Sequence, residues 1–293
     1  MDTVPFDFAR TNYVLAPHTR YHIGGSAHLA LFPPTLADME AAYQWLFTTD
    51  MPFIVIGGGA NMLIDDRGYD GCALFTTELK EVHPLGNHSF FVGTGILLAD
   101  LVRKIMLPNN YEGVGALTGI PGTVGGALFM NAGTANGSVC ELAVSVDLLE
   151  DKGVRRLPLT PDRYGYRGQS FCQGDTVITG AMFRFTPSER DESEVYHHYM
   201  RRRSETQPDG LCCGSVFKNP PDDHAGRLIE AAGLKGKRHN GAIISEKHAN
   251  FIMNDADASF DDVFHLITLV KQTVHARFGV ELHEELRIIR SVP

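Results

Sequence analysis

The sequence predicts a globular protein of two or three lobes that combines helices with strands, and three observations support this. The chain has 293 residues, which exceeds the length of one ordinary domain. Hydrophobic residues make up 43% of it and charged residues 21%, which is typical of a globular protein with ample core material. Short apolar runs that end in glycine-rich turns alternate with amphipathic helical segments.

Composition also indicates the cellular compartment of the protein. No apolar run reaches the ~18 residues that a membrane-spanning helix needs, and residues 1–7 lack the features of a signal peptide. The five cysteines form no CxxC pair and are odd in number, which favours free thiols over disulfides or zinc ligands. We therefore expect a cytoplasmic protein with no membrane partner and no metal site.

The charge is negative overall but uneven. A formal net charge of −9 argues against general nucleic-acid binding. Residues 199–250 nevertheless carry nine Lys/Arg against six Asp/Glu. A basic segment in an acidic chain suits a small polyanion such as a nucleotide diphosphate. For the run Arg201, Arg202 and Arg203, a solvated helix face is an equally good explanation.

The first lobe contains a helix followed by a strand and a glycine-rich turn. Apolar residues at helical spacing predict a helix over Leu36–Thr48. Residues 52–56 form a short apolar strand that runs into the glycines at 57–59, and residues 61–64 continue as a strand. Because no helix opens after these glycines, the pattern is not a GxGxxG dinucleotide fingerprint. The turn either presents backbone N–H groups to a phosphate or is a simple hairpin.

The second lobe contains a longer glycine-rich stretch. Residues 90–95 predict a strand and turn, and residues 98–106 an amphipathic helix. The stretch 115–133 holds so many glycines that it cannot be an ordinary helix. Its backbone could lie flat against an extended cofactor, or it could be a tightly packed core. Strands are expected at 144–149 and 177–185.

The third lobe follows a polar linker and is expected to contain three helices. Charged residues at helical spacing predict a helix over Glu192–Thr206, and residues 225–232 predict another. Ser259 and Asp262 form a capping box that opens the last helix, and Gly279 ends it.

The final segment, 280–288, alternates as a strand does. One face would carry Glu285 and Arg287, and the other the apolar residues Val280, Leu282, Leu286 and Ile288. The alternative is a solvent-facing ion pair on an edge strand, which would contribute little to stability.

A polar loop and a single arginine could also take part in catalysis or ligand binding. Ser215, Lys218 and Asn219 offer a hydroxyl, an ammonium and an amide within five residues. Such a loop can aim a proton donor and anion-binding groups at one ligand, although a polar turn is the simpler alternative. Arg167 lies between two predicted strands, and a guanidinium can grip a carboxylate through two hydrogen bonds. A surface arginine is the simpler alternative here.

Several separated motifs together resemble the UDP-N-acetylenolpyruvoylglucosamine reductase (MurB) family. They include TRYHIGGSA, GIPGTVGGALFMNAG, the YGYR that ends at Arg167, GSVFKNP, AGRLIEAAGLKG and SEKHANFIMN. The resemblance implies an α+β fold that begins with a two-lobed FAD-binding domain (PCMH/VAO-type), with lobe 1 at 1–78 and lobe 2 at 79–190. A smaller α+β substrate-binding domain would follow at 191–293. The compact stretch between Arg184 and Cys212 resembles the family branch without the extra tyrosine-bearing loop.

The resemblance also implies the cofactors, non-covalent FAD and NADPH as hydride donor. No histidine occurs in 57–63 or 119–133, so covalent attachment of the flavin at those positions is not expected. The residues implied to bind FAD are Ile56, Gly57, Gly58, Gly59, Ala60, Asn61, Met62, Gly119, Pro121, Gly122, Thr123, Gly125, Gly126, Ala127, Asn131 and Gly133.

The activity implied is reduction of UDP-N-acetylglucosamine enolpyruvate to UDP-N-acetylmuramate, a step of peptidoglycan synthesis on which cell shape and division depend. In this family NADPH reduces FAD and leaves, and hydride then passes from flavin N5 to the sugar nucleotide. Arg167 and Glu285 take the positions that polarise the substrate carboxylate, and Ser215 that of the proton donor. The substrate-binding residues implied are Lys218, Asn219 and Arg287. We expect a monomer.

Three departures leave alternatives open. The family usually has Ser at Ala60 and commonly Gln at Ile243, and residues 134–137 replace its usual Ala-Tyr-Gly. The first two remove polar contacts to FAD and to substrate. The chain could therefore be another FAD-dependent oxidoreductase of the same superfamily, or a non-catalytic paralogue that binds flavin or nucleotide sugar.

Overall fold

A computed structural model describes residues 4–291. Residues 1–3, where the segment without signal-peptide features begins, lie outside this range. The chain forms two compact units, each assembled from separate stretches. Unit 1 comprises residues 4–11, 29–58 and 71–201, and unit 2 comprises residues 12–28, 59–70 and 202–291. The predicted division at residues 78 and 190 stays a prediction.

The regular elements follow the predicted mixture of helices and strands. The helices are α1 (Leu36–Thr48), α2 (Leu98–Asp100), α3 (Val114–Leu117), α4 (Val124–Met130), α5 (Val139–Leu142), α6 (Glu192–Thr206), α7 (Ala225–Ala231) and α8 (Phe260–Phe278). The strands are β1 (Ala9–Val14), β2 (Ser26–Leu31), β3 (Phe53–Ile56), β4 (Met62–Ile64), β5 (Tyr69–Phe75), β6 (Val82–Gly86), β7 (Ser89–Gly93), β8 (Gly133–Thr134), β9 (Gly137–Ser138), β10 (Ala143–Glu150), β11 (Gly153–Pro158), β12 (Tyr164–Gly165), β13 (Gly168–Gln169), β14 (Val177–Arg184), β15 (Arg238–His239), β16 (Ala242–Ile244), β17 (Ile252–Asn254) and β18 (Arg287–Ile289).

The main sheet of unit 1 is antiparallel, with strand order β11-β10-β14-β7-β6. Its inner residues pack with the glycine-rich helices in one apolar cluster that includes Val92, Val124, Leu128 and Ala181. A second cluster forms where the buried face of α1 meets the apolar residues of β2 and β5. The sheet order β1-β2-β5-β3 ends in a parallel pair, with Phe53 opposite Cys72.

Unit 2 is organised around α8. Its capping box is present as predicted, because Ser259 accepts from the Asp262 N–H and Asp262 accepts from the Ser259 N–H. Gly279 ends the helix with a φ of 68°. The apolar face of α8 packs against α7 and the three-stranded sheet β15-β16-β17 in a single cluster. Strand β18 pairs in parallel with β4, with Arg287 opposite Met62.

The prediction for 115–133 is wrong in part, since α4 is an α-helix. Thr123 caps its N-terminus by accepting a hydrogen bond from the Gly126 N–H. A Cβ at Gly125 would lie 1.6 Å from Thr94 Oγ1, so close packing explains the glycine there. Packing therefore overrides the low helix propensity of this segment. The predicted helix at 98–106 is present, but Leu101–Met106 is wound as a π-helix.

The prediction of one strand over 280–288 is also wrong, because only Arg287–Ile289 is a strand. Leu282 and Leu286 are buried as the alternation indicated. The backbone of residues 283–285 instead forms isolated contacts with residues 216–218. Alternating burial therefore arose here without a continuous sheet.

The structure also shows the state of the cysteines and the character of the helices. All five cysteines are buried free thiols. Within residues 4–291, no helix combines the length and apolar character needed to cross a membrane.

Candidate functional site

The two glycine-rich segments of unit 1 meet closely. A Cβ at Gly57 would lie 2.6 Å from Thr123 Oγ1, and one at Gly58 would lie 3.0 Å from the Gly122 Cα. Gly119 and Gly122 have φ of 73° and 106°, a conformation that glycine adopts without strain. Within the described chain, the N–H groups of Gly57 and Gly58 donate no hydrogen bond.

This arrangement fits an extended phosphate-bearing cofactor. Backbone N–H groups seldom lack partners in a folded protein, and here they lie in a loop with no Cβ in the way. Nest-like groups of N–H donors are the usual backbone site for an anion. Ile56 ends strand β3 just before this loop. Among the other predicted FAD residues, Pro121 lies beside Gly122, and Gly126 and Ala127 lie on α4.

Arg167 lies at the tip of the β12–β13 hairpin. Gly165 pairs with Gly168, so Tyr166 and Arg167 form a two-residue connection. Arg167 has a φ of 51°, in the left-handed region that glycine normally occupies in such turns. Its Nη2 donates to the Gly133 carbonyl at 2.7 Å. The structure therefore brings Arg167 to the end of the predicted cofactor segment.

Asn131 supports this hairpin through a side-chain hydrogen bond. It is buried, its amide nitrogen donates to the Gly165 carbonyl at 2.8 Å, and its amide oxygen accepts from the Cys140 N–H. The side chain is thus already engaged with protein groups. Its direct contact with a cofactor stays a prediction.

Ser215 lies in an irregular segment of unit 2. Gly214, just before it, has a φ of 76° with open space where a Cβ would be, so backbone conformation alone favours glycine there. Ser215 is half-buried, and its hydroxyl makes no hydrogen bond with any residue in 4–291. The hydroxyl is therefore available to a ligand.

Glu285 is held beside this segment by its backbone. Its N–H donates to the Val216 carbonyl at 2.8 Å, and its own carbonyl accepts from the Asn61 side chain at 2.9 Å. The Arg287 N–H donates to the Asn61 carbonyl at 3.1 Å. Glu284 forms an ion pair with Lys271 at 2.7 Å. Ser215, Asn61, Glu285 and Arg287 are thus brought together within unit 2.

Lys218 and Asn219 belong to the same group. The Lys218 N–H donates to the His283 carbonyl at 2.9 Å, while its ammonium has no hydrogen bond or ion pair within the described residues. Asn219 Oδ1 accepts from the Ala225 N–H at the start of α7. The lysine therefore offers an unpaired positive charge within four residues of Ser215.

The structure gives the surroundings of Ala60 and Ile243, two of the three departures from the family pattern. A Cβ at Gly59 would lie 1.7 Å from the His18 carbonyl oxygen, so no larger residue fits immediately before Ala60. The Ala60 N–H donates no hydrogen bond within the described residues, and Met62 starts strand β4. Ile243 lies on β16 and packs against the apolar cluster of unit 2.

Burial keeps two titratable side chains of unit 2, Cys213 and Tyr21, in their neutral forms. Burial raises the pKa of the Cys213 thiol to about 12, and this thiol lies 3.3 Å from the Met62 carbonyl. Burial also raises the pKa of Tyr21 well above its ordinary value. Within residues 4–291, no cluster of three or more His, Cys, Asp or Glu side chains could hold a metal. Burial therefore disfavours the thiolate form of Cys213.

The sequence predictions omitted one residue of this region. Asn250 is a buried amide that contacts the backbone next to Ser215. Its motif, SEKHANF, contributed to the family resemblance without any role being assigned to this residue. A polar residue between the apolar Ala249 and Phe251 was the only sequence signal.

Comparison with known proteins agrees with these features. Residues 27–157 match the model of an FAD binding domain, and residues 207–289 match the UDP-N-acetylenolpyruvoylglucosamine reductase C-terminal domain. The chain is 38% identical over 277 residues to that reductase from Thermotoga maritima, covering 94% of this chain and 96% of the relative. It is 35% identical to the Synechococcus sp. (strain JA-3-3Ab) reductase, covering 94% and 90%. The crystal structure of the Thermus caldophilus reductase (MurB) superposes with a TM-score of 0.80 at 30% identity, covering 96% of this chain and 100% of that one.

The fold and the glycine-rich segments thus define an FAD-binding flavoprotein of the oxidoreductase class. Relatives of this identity and coverage identify it further. The chain belongs to the UDP-N-acetylenolpyruvoylglucosamine reductase family. The predicted family and fold class are confirmed.

Proposed function

We propose that the protein uses NADPH to reduce UDP-N-acetylglucosamine enolpyruvate to UDP-N-acetylmuramate, in the cytoplasm, for peptidoglycan precursor synthesis. Membership of the reductase family supports the reaction. The observation that carries the assignment to this chain is the unbonded Ser215 hydroxyl, next to Val216, whose carbonyl accepts from the Glu285 N–H. A paralogue without turnover would have no need to keep that arrangement.

The glycine segments are proposed to hold FAD. The N–H groups of Gly57, Gly58 and Ala60 are the donors proposed for its diphosphate. The glycines at 119–133 leave room for close backbone approach to the cofactor. Bound FAD would supply the hydride chemistry, through N5, that no side chain can perform.

Arg167 and Glu285 are proposed to stabilise the substrate carboxylate. Hydride addition next to an α,β-unsaturated carboxylate pushes negative charge onto its oxygens. A fixed guanidinium meets such charge through two hydrogen bonds, and Glu285 assists either as a protonated acid or through water. The left-handed backbone of Arg167 supports a functional role, because strained residues persist mainly at functional sites.

Ser215 is proposed to protonate the adjacent carbon. A hydroxyl is a weak acid, but an enolate carbon is a strong enough base to accept its proton. The unpaired ammonium of Lys218 would favour release of that proton by stabilising the developing alkoxide. The same lysine, with Asn219 and Arg287, would bind polar groups of the UDP-sugar.

The experiment separates the two half-reactions under anaerobic conditions. In Ser215→Ala, NADPH should still reduce the flavin at the wild-type rate, because the serine is not needed for that step. Reoxidation by the enolpyruvyl substrate should slow by at least about a hundredfold, within the range of lost general-acid catalysis. Stopped-flow absorbance of the flavin measures both rates.

The outcomes distinguish the alternatives. Wild-type reoxidation by the substrate together with a slow Ser215→Ala variant supports the proposal. Wild-type flavin that is reduced but ignores the substrate would indicate another oxidoreductase of the superfamily. Failure to retain FAD would indicate a paralogue without turnover. Unchanged turnover in Ser215→Ala would remove Ser215 as the proton donor.

A further inference from the structure

Asn250 is a buried amide with 4% of its surface exposed. Its Oδ1 accepts from the Phe217 N–H at 3.0 Å, and its Nδ2 donates to the Phe217 carbonyl at 2.8 Å. Its backbone carbonyl also accepts from the Val216 N–H at 2.9 Å. One residue therefore makes three hydrogen bonds to the dipeptide that follows Ser215.

The other side of that dipeptide is also held. The Val216 carbonyl accepts from the N–H of Glu285 at 2.8 Å, and Phe217 forms an isolated bridge with Glu284. The side-chain amide of Asn250 thus does what a neighbouring strand would do, since it offers one donor and one acceptor to a single residue. Unlike a strand, it can be altered by one substitution.

Asn250 is itself anchored by His248. The Asn250 N–H lies 3.3 Å from His248 Nδ1, and the Phe251 N–H donates to the His248 carbonyl at 3.0 Å. Burial lowers the pKa of His248, although Glu230 opposes this, and Lys235 adds to the lowering. The ring is therefore held neutral, as an acceptor at Nδ1 requires.

We propose that Asn250 is a positioning residue that sets the Ser215 hydroxyl in register with Glu285 for the protonation step. It acts through the backbone of Val216 and Phe217 and touches no reacting atom. The inference rests on the proposed function, because it assigns Asn250 to one half-reaction of that cycle. A small displacement of a catalytic group costs up to about a hundredfold in rate, so the effect is measurable.

The test compares Asn250→Ala with Asn250→Asp in the FAD-loaded enzyme. Asn250→Ala should reduce the flavin with NADPH as wild type does, and reoxidation by the enolpyruvyl substrate should slow about ten- to a hundredfold. Its solvent deuterium isotope effect on reoxidation should rise, because proton transfer becomes more limiting. A residue that only supports stability would leave that isotope effect unchanged.

Asn250→Asp gives a second, pH-dependent readout. A protonated carboxyl has the shape of the amide and can donate to the Phe217 carbonyl, whereas a carboxylate cannot. Its reoxidation rate, relative to wild type at the same pH, should therefore recover as the pH is lowered from 8 to 6. The alanine variant should show no such recovery. If Asn250→Ala fails to retain flavin, the aspartate variant still decides.

Asn254→Ala is the matched control. Its amide also makes two hydrogen bonds to the backbone of unit 2, to the Tyr21 carbonyl and from the Ala258 N–H, both at 2.8 Å. It should lose stability without changing reoxidation. Equal reoxidation rates in wild type and both Asn250 variants would overturn the positioning role. Absence of reoxidation in wild type would instead mean that the proposed function has failed.

Discussion

Arg167 adopts a left-handed backbone conformation that costs an L-residue about 1–2 kcal/mol. We therefore predict that Arg167→Gly is more stable than Arg167→Ala by about 1 kcal/mol, since both lose the guanidinium but only glycine relieves the strain. Both variants should lose most of the second half-reaction. Urea unfolding monitored by far-UV circular dichroism measures the first effect, and stopped-flow absorbance the second.

The comparison separates strain from function at one position. Equal stability of the two variants would show that the turn is not strained. Retained reoxidation in either variant would remove the guanidinium from the proposed chemistry. The YGYR motif indicated a functional arginine here. Its bond to Gly133 could not be predicted, because it depends on a segment 34 residues away.

Helix α8 shows what local signals can predict. Its predicted start and stop are confirmed, because a capping box and a left-handed glycine act within a few residues. We predict that Ser259→Ala lowers the free energy of unfolding by about 1 kcal/mol, since the Asp262 N–H loses its acceptor. Ser259→Thr keeps a hydroxyl and should stay within about 0.5 kcal/mol of wild type. Denaturant titration of both variants measures this, and equal losses would contradict the assigned cap.

Elements that depend on distant partners were predicted less well. Residues 280–288 alternate as a strand does, yet the backbone of residues 283–286 contacts the irregular segment 216–218. The helix α4 escaped prediction because Gly125 is required by contact with Thr94 rather than by local conformation. The candidate site follows the same pattern. Its residue types were visible in the motifs, whereas the hydrogen bonds from Asn250 to Val216 and Phe217 were not.

At the scale of the whole molecule, unit 2 is discontinuous in sequence. Its apolar cluster includes Tyr21, Ile23 and Leu63, and strand β18 pairs only with β4 in the described chain. We predict that a fragment of residues 191–293, produced alone, does not fold. Circular dichroism and amide-proton dispersion in NMR spectra would test this against the full chain. A fragment with a cooperative unfolding transition would contradict the prediction and support the division at residue 190.

The hydrogen bond from Asn61 to Glu285 joins residues 224 positions apart in sequence. At about 5–20 residues per second, a ribosome needs roughly 10–45 s to make the intervening chain. Throughout that interval Leu63, fully buried in the finished protein, has no partner strand to cover it. All residues of unit 1 have been made once synthesis passes residue 201, so unit 1 can begin to fold before unit 2 is complete. The nascent chain therefore carries an uncovered apolar strand for most of its synthesis, which makes it a natural client for a chaperone.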